Sequence, residues 1–207
     1  MPLDLNHDGV VDFNLVERHY PYVGRMRGPS CCFHESQSLN VNGAGNPGAG
    51  VMGTAYSPFD AGALVLGAEI GPGLHFDRVQ NANALMAQAG FFTARESKLY
   101  SFCDGPFAGF AACTGTTDRF LGLRFQVSGN TYYGWAGFSV VKVGYTYIHA
   151  RLVGIAYEDV PGQPIRAGQL QDGTVMTERT PNPQPATLGL LALGAPGLDI
   201  WRPRKQV

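Results

Sequence analysis

The run Phe120-Leu121-Gly122-Leu123-Arg124-Phe125-Gln126-Val127 decides the fold, together with the Ser128-Gly129-Asn130 turn and the return run Thr131-Tyr132-Tyr133-Gly134-Trp135-Ala136-Gly137-Phe138. Leu121, Leu123, Phe125 and Val127 recur every second residue, with Gly122, Arg124 and Gln126 between them. That is the two-residue period of a strand with one buried face. Ser128-Gly129-Asn130 reads as a three-residue hairpin turn carrying Gly. The return run, to about residue 141, brings Tyr132, Tyr133, Trp135 and Phe138, and residues 146–157 supply a third β-rich strand. Three consecutive antiparallel strands with one apolar face need a second sheet to cover it. The expectation is an all-β chain built as a two-sheet antiparallel β-sandwich, jelly-roll-like.

Composition agrees. Gly is high at 28 of 207 residues and Pro common at 14, which favours turns and short strands over long helices. Hydrophobic residues reach 44%, enough for a real core, while charged residues are only 15%. Working outward, residues 63–70 read as a buried strand and residues 42–53 as a Gly-rich loop. Asn81 to Ala89 (NANALMAQA) reads as a short helix, with Leu85, Met86 and Ala89 loosely on one face. The alternating pattern stops after Gly168. Residues 1–168 are therefore taken as the domain, 169–182 as a Pro-containing linker and 183–207 as a tail with a short hydrophobic helix. A net charge of −1 gives no footprint for nucleic acid, which demands clustered Lys and Arg. The start carries no basic and apolar signal segment. It opens inside an acidic loop, so the expectation is an N-terminus truncated relative to an exported precursor.

That opening loop is the first chemical candidate. Asp4, Asn6, Asp8 and Asp12 place oxygens at alternate positions, Val10 offers its backbone carbonyl, and Gly9 permits a sharp turn. The spacing matches much of a DxDxDG calcium loop. An EF-hand would carry a bidentate Glu at the twelfth position, where this chain has Leu15, and a strand rather than a helix follows. The expectation is a structural Ca²⁺ site without the EF-hand scaffold, set against an Asx-rich turn bonded to its own backbone.

Other candidates are weaker. Cys103 and Cys113 flank a Gly/Pro-rich loop and can staple it as a disulfide in an oxidising compartment; two buried free thiols are the alternative. The adjacent Cys31 and Cys32 are poorly placed to bond each other. Trp135 with Tyr132 and Tyr133 reads either as a sugar-stacking platform or as core. His34, Glu35, His75, Asp77 and His149 show no metal-ligand spacing, and no GxSxG elbow occurs. A glycosidase needs two facing carboxylates; Glu69 and Asp77 are the nominal pair, and nothing in their spacing sets them opposite one another. Glu158-Asp159 adjoins a Pro-Gly turn and reads as a solvated loop.

The tail carries the most specific pattern. Pro183-Gln184-Pro185 precedes the apolar Ala186-Thr187-Leu188-Gly189-Leu190-Leu191-Ala192-Leu193-Gly194-Ala195, and Trp201 is followed by Arg202, Arg204 and Lys205. An aromatic and then basic residues closing an apolar stretch fit a membrane boundary with a cytoplasmic basic end. These residues resemble the PEP-CTERM sorting signal of exported Gram-negative proteins, with Gln184 in place of the motif Glu and Asp199 within the stretch. The segments Asp4-Leu5-Asn6-His7-Asp8-Gly9-Val10-Val11-Asp12-Phe13, Tyr133-Gly134-Trp135 and Pro164-Ile165-Arg166-Ala167-Gly168 also look like those of PEP-CTERM proteins without established activity. The resemblance implies a membrane association through the tail, an exosortase-type sorting enzyme as partner and cleavage near residues 183–185. It implies release or anchoring at the cell surface or outside it. The expected function is a non-enzymatic surface or extracellular-matrix protein. The alternatives are a module that binds polysaccharide and a jelly-roll glycan-active enzyme.

Overall fold

A computed structural model of the chain describes residues 1–23, 33–55, 57, 59–80, 82–93, 99–109, 115–144 and 146–170. Its strands in chain order are β1 (Pro2–Leu3), β2 (Phe13–Val23), β3 (Phe33–Asn42), β4 (Gly50–Met52), β5 (Glu69–Ile70) and β6 (Phe76–Arg78), then β7 (Ala84–Thr93), β8 (Leu99–Asp104), β9 (Gly115–Val127), β10 (Asn130–Val143), β11 (Tyr147–Tyr157) and β12 (Ile165–Arg166). The chain is all-β. One five-stranded sheet has the order β1-β2-β3-β7-β8 and the other β11-β10-β9-β4-β6, while β5 and β12 form a small ribbon. Every strand pairing is antiparallel.

The hairpin that decides the fold is tighter than expected. Asn130 pairs with Val127, so the loop is Ser128-Gly129 alone. Both residues have positive φ, 51° and 83°. Such mirror-image turns match the twist of the strands they join. Glycine is needed again at Gly115, with φ 86° and a would-be Cβ only 1.9 Å from the Val140 carbonyl oxygen.

Alternation then sorts side chains into two cores. Leu121, Leu123 and Phe125 from β9 and Phe138 and Val140 from β10 share a buried cluster with Phe13, Leu15, Leu39, Val41 and Met86 of the other sheet. Phe107, from a single 3-10 turn at Pro106–Ala108, meets Phe138 edge-on with centroids 6.2 Å apart. The opposite face of β9 and β10 is covered too. Phe120, Tyr133 and Trp135 form a second cluster with Ile70, Phe76, Ile165 and Ala167, so the β5–β12 ribbon and its flanking loops close over that face. A sheet buried on both faces needs apolar residues of both parities. This explains why Tyr132 and Tyr133, adjacent in sequence, belong to different clusters.

Three local expectations are corrected. The helix expected over residues 81–89 is replaced by a strand: β7 runs from Ala84 through Thr93 between β3 and β8. The register shifts between Leu39 and Asn40, whose partners are Ala87 and Leu85, and Met86 is the extra residue. That bulge breaks the two-residue period, and the unsorted apolar residues resemble a helical face. Residues 63–70 are mostly loop. Leu64 bridges Phe120 through two backbone hydrogen bonds of 2.8 and 3.0 Å, Gly67 turns the chain with φ 79°, and only Glu69–Ile70 is strand. The Gly-rich segment 42–53 contains the short strand β4. The chain divides into units Met1–Met176 and Thr177–Val207; the second unit, with the whole tail, lies outside the described residues.

Candidate functional site

The acidic loop hangs between β1 and β2 on a buried anchor. Leu5 is 2% exposed, Asp12 N donates to Leu3 O at 2.9 Å, and Leu5 N donates to Asp12 Oδ2 at 2.9 Å. The tip is organised by its own side chains. Asp4 accepts from Asp8 N (3.2 Å) and Gly9 N (2.9 Å), Asn6 Oδ1 from Asp8 N (3.3 Å), and Asp8 Oδ1 from Val10 N (2.7 Å). Those are Asx-type bonds, and they hold His7 and Gly9 at φ 58° and 86°. Asn6 Nδ2 also donates to Asp8 Oδ2 at 2.8 Å. Together with the Val10 amide it holds the Asp8 carboxyl below its usual pKa. Asp12 goes the other way. Burial raises its pKa to about 6, against the Leu5 hydrogen bond and with help from the Asp8 and Asp4 charges. Among the described residues no three His, Cys, Asp or Glu side chains stand ready as a metal cluster. The donor set is nonetheless all oxygen, the chemistry a hard cation takes.

A second constellation lies where β2, beyond its short pairing with β1, faces β11, the outer strand of the other sheet, among the described residues. Pairing of the N-terminal segment with β2 ends with Leu15 N donating to Met1 O at 2.8 Å, and β2 continues to Val23. Along β2 the positions of the same parity after Phe13 and Leu15 are Glu17 and His19, both exposed. Gln37, 4% exposed, joins the two sheets: its Oε1 accepts from Ile148 N at 2.7 Å, and its Nε2 donates to Glu17 Oε1. His19 Nε2 lies 2.8 Å from Glu35 Oε1, and its ring stacks on Tyr147 at 6.3 Å and 19°. Pro21, which has no N–H, is a device that keeps an outer strand from recruiting another chain. Beside these residues a cavity of about 150 Å³ is walled by Leu15, Leu39, Phe138, Ile148 and Ala150, with Glu17 and Gln37 as its polar side. Replacing Gln37 by Leu should cost about 2 kcal/mol, since it strands the Ile148 amide in a buried place. Urea unfolding of Gln37→Leu against the parent checks this, and a loss under about 0.5 kcal/mol would refute the cross-sheet role.

The remaining candidates resolve one by one. Trp135 is fully buried and Tyr133 7% exposed, so neither can stack a sugar. Trp135 Nε1 donates to Gln169 O at 2.8 Å, and Tyr132 packs against Phe125 and Tyr157 at 5.8 and 6.2 Å. The core reading of these aromatics is the right one. Glu69 pairs across from Arg166 in the ribbon, whereas Asp77 sits on β6 opposite Val51, with His75 Nε2 3.0 Å from its carboxylate. His149 is exposed on β11. Glu158 accepts weakly from Val160 N at 3.4 Å in the loop after β11. Cys103 is disulfide-bonded. Its expected partner Cys113 lies outside the described residues, as do Cys31, Cys32, Pro183, Gln184, Pro185, Arg202, Arg204 and Lys205.

Sequence reasoning missed Glu17, His19, Glu35 and Gln37 as a group. The signal was present in β2, where the period that buries Phe13 and Leu15 continues into Glu17 and His19. Compared with known proteins, the chain matches no family, no curated protein and no solved structure.

Proposed function

We propose that this chain is an exported, non-enzymatic β-sandwich protein, delivered to the cell surface or extracellular matrix of a Gram-negative-type bacterium by a PEP-CTERM-like tail. The single observation that supports it best is the disulfide at Cys103, because such bonds persist in oxidising, extracytoplasmic compartments. What supports a sandwich in this reading is that residues of both five-stranded sheets share one core. In this reading the apolar tail engages the membrane before processing. Arg202, Arg204 and Lys205 stay on the cytoplasmic side, and an exosortase-type enzyme acts near Pro183-Gln184-Pro185. Alkylation of unreduced protein, followed by peptide mass analysis, tests the compartment. Cys103 should be protected until reductant is added, and immediate labelling of folded protein would count against export.

Calcium belongs to the same reading, as a structural ion. Asp4, Asn6, Asp8 and Asp12 would supply side-chain oxygens and Val10 its carbonyl, tying the start of β2 to β1. Millimolar Ca²⁺ should raise the unfolding temperature of chelator-treated protein by several degrees, since a ligand bound only to the folded state stabilises it by mass action. Asp4→Ala should abolish that increment. An unchanged transition with and without Ca²⁺ would leave the loop as an Asx-bonded turn and nothing more.

A further inference from the structure

We infer that the cavity between β2 and β11 binds a small amphiphilic cation, a primary ammonium on a short apolar stem. The inference is independent of export and of calcium. Its walls are Leu15, Leu39, Phe138, Ile148 and Ala150, and its volume is about 150 Å³. A cavity of that size with apolar walls takes a guest as large as one aromatic ring. The polar side has one acid, the exposed Glu17. Gln37 is oriented by accepting from Ile148 N, and it donates to Glu17 Oε1, which positions the carboxylate at the mouth. Glu17 Oε2 has no hydrogen-bond partner among the described residues and is the natural acceptor for a guest ammonium. The neighbouring His19 is already engaged, its Nε2 2.8 Å from Glu35 Oε1. An apolar body is thus held in the slot while its charged end meets a carboxylate close to solvent, where a charge-assisted hydrogen bond forms at a modest desolvation cost.

The guest can be a free amine or a lysine side chain presented by an extended peptide. The test titrates the full chain with benzylammonium, following the backbone amide resonances of Leu15, Ile148 and Ala150. Saturable shifts confined to the cavity are expected. Glu17→Gln keeps the acceptor for Gln37 and should weaken binding about tenfold, and Ala150→Phe, which fills the slot, should abolish it. Benzyl alcohol and phenylacetate should bind at least about tenfold more weakly. A blocked lysine tripeptide separates the sources: tighter binding than benzylammonium assigns a peptide, and weaker binding assigns a free amine. Absence of saturable shifts at about 10 mM would overturn the inference. So would equal affinity in Glu17→Gln, or a preference for phenylacetate.

Discussion

Trp135→Ala should lower the unfolding free energy by about 4 kcal/mol, the largest single-residue effect expected in the chain. The side chain is 0% exposed, and its ring meets Phe120 at 5.3 Å and 87°. Truncation removes its apolar contacts and leaves a cavity that Tyr133, Ile165 and Ala167, fixed in the same cluster, can only partly fill. It also removes the indole donor from the Gln169 carbonyl. Trp135→Phe keeps an aromatic ring in the cluster but loses part of the indole volume as well as the hydrogen bond, and should cost less than the alanine, about 1 to 3 kcal/mol. Urea denaturation of the three proteins provides the comparison. A Trp135→Ala loss under about 1 kcal/mol would mean that the ribbon does not close over this face.

In metal-free buffer, stability should fall by about 3 kcal/mol as the pH rises from about 4 to 7.5, mostly through Asp12. The native pKa of this carboxyl is about 6, above its ordinary 3.8. A raised native pKa means that the folded state holds the proton more tightly. The stabilisation is therefore complete below pH 3.8 and is lost as the pH climbs through 6. Asp60, raised by its own burial, acts in the same direction. Asp8 acts oppositely and at lower pH, because its pKa is depressed. Asp12→Asn isolates the main group: it keeps an acceptor for Leu5 N and should remove most of the slope. Ca²⁺ favours the carboxylate over the acid, so it should flatten the same profile. A parent protein with no slope between pH 4 and 7.5 would contradict the buried placement of Asp12.

Much of the architecture could be read from alternation alone. β9, β10 and β11 announced themselves because Leu121, Leu123 and Phe125 obey a strict two-residue period and face one core. β7 escaped because its bulge at Met86 interrupts that period where Ala84, Leu85, Ala87 and Ala89 carry little β signal of their own. The second core was hidden for a different reason. Tyr133 and Trp135 stand in the positions between the residues of the first, so an aromatic-rich strand looked like a binding platform when it was a strand buried on both faces. The calcium-type spacing of the acidic loop was legible, and so was its capacity to cap its own amides. The cross-sheet constellation was not, because Gln37 and Ile148 are 111 residues apart and only the topology brings them together.

Export and processing leave a covalent record in the mature protein. The most direct measurement is therefore the intact mass and thiol state of the protein recovered from envelope, extracellular and cytoplasmic fractions of its host. The expected product is outside the cytoplasm, ends near Pro183-Gln184-Pro185, and has Cys103 closed to alkylation until reduced. A cytoplasmic protein that retains Val207 and carries an alkylated Cys103 without reduction would contradict it.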